Sequence, residues 1–481
     1  MGEEIIRESF TSQDFEEFEQ QLREQTAVLK QWFEQGTFSE QPPSGGFELE
    51  AWLVDRDAQP AAINEQYLEH LNNPLVVAEL SRFNVELNGT PQQMQGDALS
   101  ALQRELQGTW QKCRDAARQL DSDIMMIGTL PTLQDSDLCP ANMSKMLRYE
   151  ALNEQVLRMR QGKPLHLNIN GHEHLDSIHH DVMLEAAATS FQIHMQIPGS
   201  LGARYYNAAL VAAAPLLAAS TNSPFLFGKW LWEETRIPLF EQAVELGGLG
   251  GAAFGPMKRV GFGSGYVYNS LHECYAENLE HFPVLLPLVG VESCADGAER
   301  LPHLRMHNGT IWRWVRPLIG FDADDTPHLR IEQRVVPSGP TLTDAIANSA
   351  MFFGLMQAMV SLETPLESQI DFAVARDNFY ATAKHGLQAN LKWCGKTVSA
   401  QNLLLDELLP MARDGLLSMD VDRSEIDHYL GIIQARVVIG QTGSAWQQQR
   451  AQQLNGDLQA MTREYLYWQE SGKPVHEWHL S

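Results

Sequence analysis

Two acids, Glu48 and Glu50, lie in the short stretch Gly46-Phe47-Glu48-Leu49-Glu50-Ala51-Trp52-Leu53-Val54, where a strand normally carries apolar side chains. Strand side chains alternate with a period of two, so Phe47, Leu49, Ala51 and Leu53 share one face and the two carboxylates share the other. At a same-face spacing of about 7 Å and an effective dielectric of about 20, the acids repel by roughly 2 kcal/mol. A divalent cation between them reverses that sign. Taken alone, the pair reads more simply as the solvated face of a half-buried strand. The case for a metal rests on residues elsewhere in the chain.

Three further stretches repeat the pattern. From Arg82 to Asn88, Phe83, Val85 and Leu87 alternate with Asn84, Glu86 and Asn88, which adds Glu86. From Ser190 to Ile197, Phe191, Ile193, Met195 and Ile197 alternate with Ser190, Gln192, His194 and Gln196, so His194 joins a polar face. From Leu329 to Val335, Leu329, Ile331 and Val335 alternate with Arg330, Glu332 and Arg334, an acid between two arginines that a salt-bridge ladder would also explain. One antiparallel sheet, backed by helices and open on its polar side, gathers Glu48, Glu50, Glu86, His194, Arg330, Glu332 and Arg334 at once. Four carboxylates and an imidazole suit Mg²⁺ or Mn²⁺, hard cations that keep positions open for water and phosphate oxygens. The planar arginine forks suit phosphate. The chemistry this implies is metal-assisted phosphoryl or acyl-phosphate transfer.

Two other features carry less. His166, His172, His174, His179 and His180 are dense, but they lack the cysteines or fixed spacing of a structural zinc site. The glycine-rich residues 247 to 265 do not match G-x-x-x-x-G-K-[ST]. They read as a mobile loop over the site, with Lys258 and Arg259 as its basic residues.

The elements that must position these residues follow from apolar periodicity. An amphipathic helix is expected over 12 to 35 and a sheet-forming core over 46 to 340. Helices are expected within that core at about 97 to 120, 143 to 160 and 201 to 221, with an apolar strand at 124 to 127. From residue 341 the chain reads as nearly all helical, at 341 to 362, 370 to 388, 399 to 418, 422 to 437 and 443 to 468. No linker divides it, so a single catalytic domain over 1 to 481 is expected. With 481 residues, 44% of them hydrophobic and 20% charged, an ordinary globular protein is expected. A formal net charge of -26 disfavours nucleic acid and anionic membranes as partners. The five cysteines form no C-x-x-C and point to a reducing cytoplasm. The start MGEEIIRESF shows no signal peptide, and the longest apolar run, 205 to 219, is too short to span a membrane.

Several blocks together resemble one family. G-F-E-L-E, V-E-L-N, F-Q-I-H-M-Q, A-S-T-N-S-P-F, H-N-G-T-I-W-R-W-V-R-P and R-I-E-Q-R-V-V-P-S-G-P-T are similar to the second family of glutamate-cysteine ligases, the carboxylate-amine ligases. Gly440 to Gln447 adds a weaker echo. The resemblance implies an α+β, glutamine synthetase-like fold, a curved antiparallel sheet forming a funnel for ATP and Mg²⁺, with a mostly helical C-terminal part. It implies that ATP phosphorylates a substrate carboxylate and that an amine displaces the phosphate to form an amide. Carried over by motif, Glu48, Glu50, Glu86, His194 and Glu332 are metal ligands and Arg330 faces the phosphate, while Arg334, Asn222 and Arg316 bind substrate or phosphate. Glutamate and cysteine are the default acid and amine, both small-molecule partners. Oligomeric state is open, a homo-oligomer included. Two alternatives remain at this point: guanidino phosphotransfer, which would stop at a phosphorylated product, and a catalytically silent binding protein on the same fold.

Overall fold

The computed structural model describes residues 9–246, 258–287 and 300–480. Most of the expected glycine-rich loop, 247–257, lies outside the described residues, as does Cys294. Eight strands make the main sheet: β1 (Ser44–Asp55), β2 (Val76–Ala78), β3 (Asn84–Asn88), β4 (Gln92–Gln93), β5 (Ser122–Met125), β6 (Phe191–Ile197), β7 (Val315–Phe321) and β8 (Pro327–Gln333). Their order is β7-β8-β6-β1-β3-β2, with β4 and β5 also pairing with β1. Every pairing is antiparallel. The sheet is curled, in a mixed helix-and-strand fold.

The period-two patterns explain why it has two unlike faces. Leu49, Ala51, Val85, Leu87, Ile193, Met195, Leu329 and Ile331 are all buried in one core cluster, which also takes in helices Gly202–Ser220 and Leu342–Ser361. The small side chains of Gly202–Ser220 let that helix lie close under the sheet, against β7 and β8. Helix Leu342–Ser361, capped by the Thr341 hydroxyl accepting from the Asp344 amide, crosses helix Leu409–Ser418 at glycines. A Cβ on Gly415 would stand 1.9 Å from the Gly354 carbonyl oxygen, so only glycine permits the contact. The N-terminal helix Ser12–Gln35 has the expected bounds. It packs on helices His272–His281 and Pro302–Gly309.

The histidine-rich segment is a hairpin, Leu165–Asn170 with His174–His179, and His172 and Glu173 lie in its turn. Leu165, Leu167 and Ile169 turn inward while His166, His172 and His174 are exposed. The C-terminal part is not all helix, because Asn390–Trp393 and Lys396–Ser399 pair around Cys394 and Gly395, both at positive φ. The helix expected over 443 to 468 is two, Gly443–Gln453 and Leu458–Glu470. The break comes where Asn455 and Gly456 adopt left-handed backbone at φ 53° and 85°. The run Ile311 to Arg316 is likewise divided: Trp312–Arg313 pairs parallel with Val260–Gly261, and β7 begins at Val315. Cys113, Cys139, Cys274 and Cys394 are free. Among the described residues no helix is long and apolar enough to cross a membrane.

Candidate active site

Register brings the expected residues together. Glu50 lies opposite Glu86 across β1 and β3, and Glu332 lies opposite His194 across β8 and β6. Glu48 is on the strand between, next to both pairs. Glu48, His194 and Glu332 each offer one ligand atom within 4.8 Å of the others. His194 Nε2 lies 3.6 Å from Glu48 Oε1 and 3.7 Å from Glu332 Oε1. Those distances are too long for hydrogen bonds. Both ring nitrogens are buried without a hydrogen-bond partner, a costly state unless a ligand takes a lone pair. Burial pushes the His194 pKa down, against the pull of Glu48 and Glu332, which favours the neutral ring a metal requires. Glu332 is gripped by Arg316, Nε to Oε2 at 2.7 Å and Nη2 to Oε1 at 2.9 Å, and by Arg334 Nη1 to Oε2 at 3.2 Å. Burial opposes its ionisation, but Arg316, Arg334 and His194 outweigh burial and hold its carboxyl below the usual range.

A second group, Glu50, Glu79 and Glu86, also offers three ligand atoms within 4.8 Å. Glu50 accepts from the Ser190 amide at 2.6 Å and from Gln192 Nε2 at 2.9 Å. Glu86 Oε1 accepts from Asn88 Nδ2 at 3.0 Å, while Oε2 is buried with no partner. Burial raises the Glu50 pKa despite Arg334. Burial and the neighbouring Glu50 raise Glu79 to about 7, and burial with Glu48 and Glu79 raises Glu86 well above the ordinary value. Three carboxylates that resist ionising together, one with an orphaned oxygen, fit a divalent cation. Glu79 was not singled out in the sequence because it sits just past β2, whose Val77 pairs with Glu86, and takes no part in an alternating run.

The five carboxylates of the two groups line one cavity of about 360 Å³, with Arg316, Arg330 and Arg334 around them and Tyr149, Leu152, Leu286, Met306, Trp312 and Ile319 in its apolar wall. The three arginines differ. Arg316 and Arg334 are engaged by Glu332, as a salt-bridge ladder would have them. The Arg330 side chain forms no hydrogen bond or ion pair among the described residues, and its Nε is buried without a partner. Burial lowers its pKa, opposed by Glu48 and Glu332. A cation so placed is free to meet an anion entering the cavity.

Asn222 is not brought to this cavity. It is fully buried. Its Nδ2 donates to the Ser338 carbonyl at 2.7 Å and to Tyr465 Oη at 2.8 Å, and its Oδ1 accepts from Gln447 Nε2 at 2.8 Å. Both donor hydrogens of this carboxamide and its oxygen are thus engaged within the core, away from the cavity where the motif-based reading expected them. In the tryptophan-rich strand, Trp312 reaches the cavity wall, while Arg313 pairs with Glu277 and Trp314 is core. His172 stacks on Trp230 at 3.9 Å, and His166 pairs with Asp176. Besides Glu79, the cavity contains Glu185, Arg148 and Arg305, none of which sits in an alternating strand. Burial and Glu79 raise Glu185 to about 8.

The sequence matches glutamate-cysteine ligase family 2 over residues 45–464. A search of curated proteins finds no match. Among solved structures the chain is similar to a glutamate-cysteine ligase of Francisella tularensis in complex with AMP, with a TM-score of 0.54 and 12% identity, over 92% of this chain and 91% of that one. It is also similar to a bifunctional glutathione synthetase of Pasteurella multocida, with a TM-score of 0.51 and 12% identity. There the likeness covers 93% of this chain and 55% of that one, so the chain spans about half of that protein's length. At such identities the likeness shows fold alone, and it is the glutamine synthetase-like fold that the motifs implied. The family match spans β1 to β8, the strands that carry both carboxylate groups, and the chain belongs to glutamate-cysteine ligase family 2.

Proposed function

We propose that this chain is an ATP-dependent carboxylate-amine ligase that activates its acid as an acyl phosphate, with glutamate and cysteine as the default substrates. The observation that carries the reading is the unpaired Arg330 beside two separate carboxylate groups in one cavity. Glu48, His194 and Glu332 would hold one divalent cation and Glu50, Glu79 and Glu86 another. When bound, Mg²⁺ supplies charge neutralisation of the nucleotide phosphates and polarises the transferring group. Arg330 donates to the phosphoryl oxygens as charge shifts during transfer. Arg316 and Arg334 keep Glu332 ionised and oriented. The substrate carboxylate oxygen attacks the terminal phosphorus and ADP leaves. The amine then attacks the acyl carbon, the carbon–oxygen bond breaks, and phosphate departs with the electron pair while the nitrogen gives up its proton. The apolar wall limits water, which would otherwise hydrolyse the acyl phosphate.

The test is incubation with ATP, Mg²⁺, glutamate and cysteine, and in parallel with mixed amino acids, following ADP, phosphate and any new amide by mass spectrometry. The expected result is amide formed in step with ADP and phosphate only when acid and amine are both present. A stable phosphorylated product without phosphate release would replace the ligase reading with guanidino phosphotransfer. No turnover with any pair would leave a binding protein.

A further inference from the structure

Behind the cavity, Arg236 opens helix Arg236–Ala243 and is 3% exposed. Its Nη2 donates to two consecutive carbonyls, Arg334 O at 3.2 Å and Val335 O at 2.5 Å. Its Nε bonds Glu234 Oε1 at 3.2 Å, and its guanidinium lies 5.4 Å over the Trp314 ring. The Trp314 carbonyl in turn accepts the Arg334 amide at 2.9 Å. Both backbone polar groups of Arg334 are therefore fixed in one frame, and the side chain that leaves that frame reaches Glu332. The frame extends away from the cavity. Glu234 is completely buried and accepts from the Asn222 amide at 2.9 Å and from Ser223 Oγ at 2.5 Å. Asn222 is held by Gln447 of helix Gly443–Gln453. At Gly443 a Cβ would stand 2.0 Å from Asn222 Oδ1, so this helix reaches Asn222 only because it starts with glycine.

We infer that Arg236 is a positioning residue for Arg334, and through it for Glu332, so that the Ser220-Thr221-Asn222-Ser223 corner and the Gly440-to-Gln447 segment brace the site from behind. This gives both sequence blocks a role that direct substrate contact does not. A guanidinium is needed because one planar fork must reach two carbonyls and a carboxylate together, which a lysine cannot do. The inference rests on the ligase reading only in counting Glu332 among the working groups of the site.

The test compares the parent with Arg236→Lys and Arg236→Ala, measuring turnover, KM for ATP, the Mg²⁺ midpoint, and Mn²⁺ affinity by electron paramagnetic resonance of the free ion. Arg236→Lys is expected to lose about 10- to 100-fold in kcat or metal affinity, the range for groups supporting a metal ligand, with KM for ATP within about twofold. In Arg236→Ala, guanidinium at millimolar concentration is expected to restore part of the loss. Should Arg236→Ala not fold, Arg236→Lys alone decides. Less folded protein with an unchanged Mg²⁺ midpoint and unchanged Mn²⁺ affinity per folded molecule would show a purely structural residue and overturn the inference. The Mn²⁺ measurement needs no turnover, so a parent that binds Mn²⁺ yet makes no amide would defeat the ligase reading while still deciding the role of Arg236.

Discussion

The two carboxylate groups meet on β1, at Glu48 and Glu50, and are solved electrostatically in opposite ways. Around Glu332 the chain supplies its own counter-charge: Arg316 and Arg334 bond the carboxylate and hold its pKa down. Around Glu50, Glu79 and Glu86 burial pushes the carboxyls up, reinforced at Glu79 and Glu86 by neighbouring acids and only partly opposed at Glu50 by Arg334. The first group is organised by the protein before any ligand arrives. The second is quiet only when protons or a cation sit in it. Under the proposed reading, the site combines a preformed half with a half in which metal binding would release protons.

The sharpest way to break this comparison is to neutralise one acid from each group. Glu332→Gln and Glu86→Gln should each lose about 1000-fold or more in ATP turnover, since a metal ligand stands behind several kcal/mol of charge stabilisation. Their stabilities should part. Glu332→Gln leaves two mostly buried arginines without their carboxylate, a change that typically costs about 3–5 kcal/mol. Glu86→Gln removes a charge from a repelling trio, so the metal-free protein should melt at the same temperature or higher. Equal losses of stability in thermal melts without metal would refute the distinction.

The next largest effect belongs to Arg330, the arginine that neither group engages. Arg330→Lys keeps the charge and loses the fork. It should still bind nucleotide, with single-turnover ADP release slowed about 100- to 1000-fold, the usual cost of one transition-state donor. A rate within about twofold of the parent at saturating ATP and Mg²⁺ would place Arg330 outside the chemistry.

A third prediction concerns pH. In the second group the folded pKa values lie above the ordinary value, with Glu79 at about 7 and Glu185 beside it at about 8. The folded state then holds protons that the unfolded state releases, so their contribution is fully present below pH 4.5 and is lost as pH rises through about 7 to 8. Glu332 runs the other way: its contribution is present above the usual carboxylate range and is lost only in stronger acid. Metal-free protein should therefore lose stability as pH rises from about 5 to 8. Mg²⁺ should raise the melting temperature more at pH 8 than at pH 6. An Mg²⁺ effect independent of pH would remove the coupling.

How much of this was legible in the sequence depended on whether a residue sat in a regular pattern. Glu48, Glu50, Glu86, His194, Arg330 and Glu332 alternate with apolar neighbours, and sheet register converts that alternation into adjacency. Glu79 lies just past the end of a three-residue strand and Glu185 in a short 3-10 turn, where no period exists to read. In the histidine hairpin the alternation of Leu165, Leu167 and Ile169 with polar residues is the strand signal, and the histidines themselves carry none. Asn222 shows the opposite case: its motif is distinctive, and the structure places it in a buried corner two residues from Pro224, bonded to helices more than 200 positions away. Motif strength reports constraint on a position, and burial decides whether that constraint is chemical or architectural.

His194 offers the smallest and most selective test of the comparison. It belongs to the preformed group, yet it makes none of the bonds that preform it, and both nitrogens lack partners. Burial holds its pKa down, and at 3.6 Å and 3.7 Å from two carboxylates its ring is aimed where a shared cation would lie. If its task is to donate a lone pair, His194→Ala should raise the Mg²⁺ concentration for half-maximal turnover about tenfold, comparable with losses seen for groups around a metal. The pH optimum should stay in place, because a neutral ligand takes up no proton in the cycle. Metal-free stability should change little, since no hydrogen bond is lost and Arg316 still holds Glu332. The opposite pattern, an unchanged Mg²⁺ requirement with a displaced pH optimum, would make His194 a proton carrier and leave Glu48 and Glu332 to hold the cation by themselves.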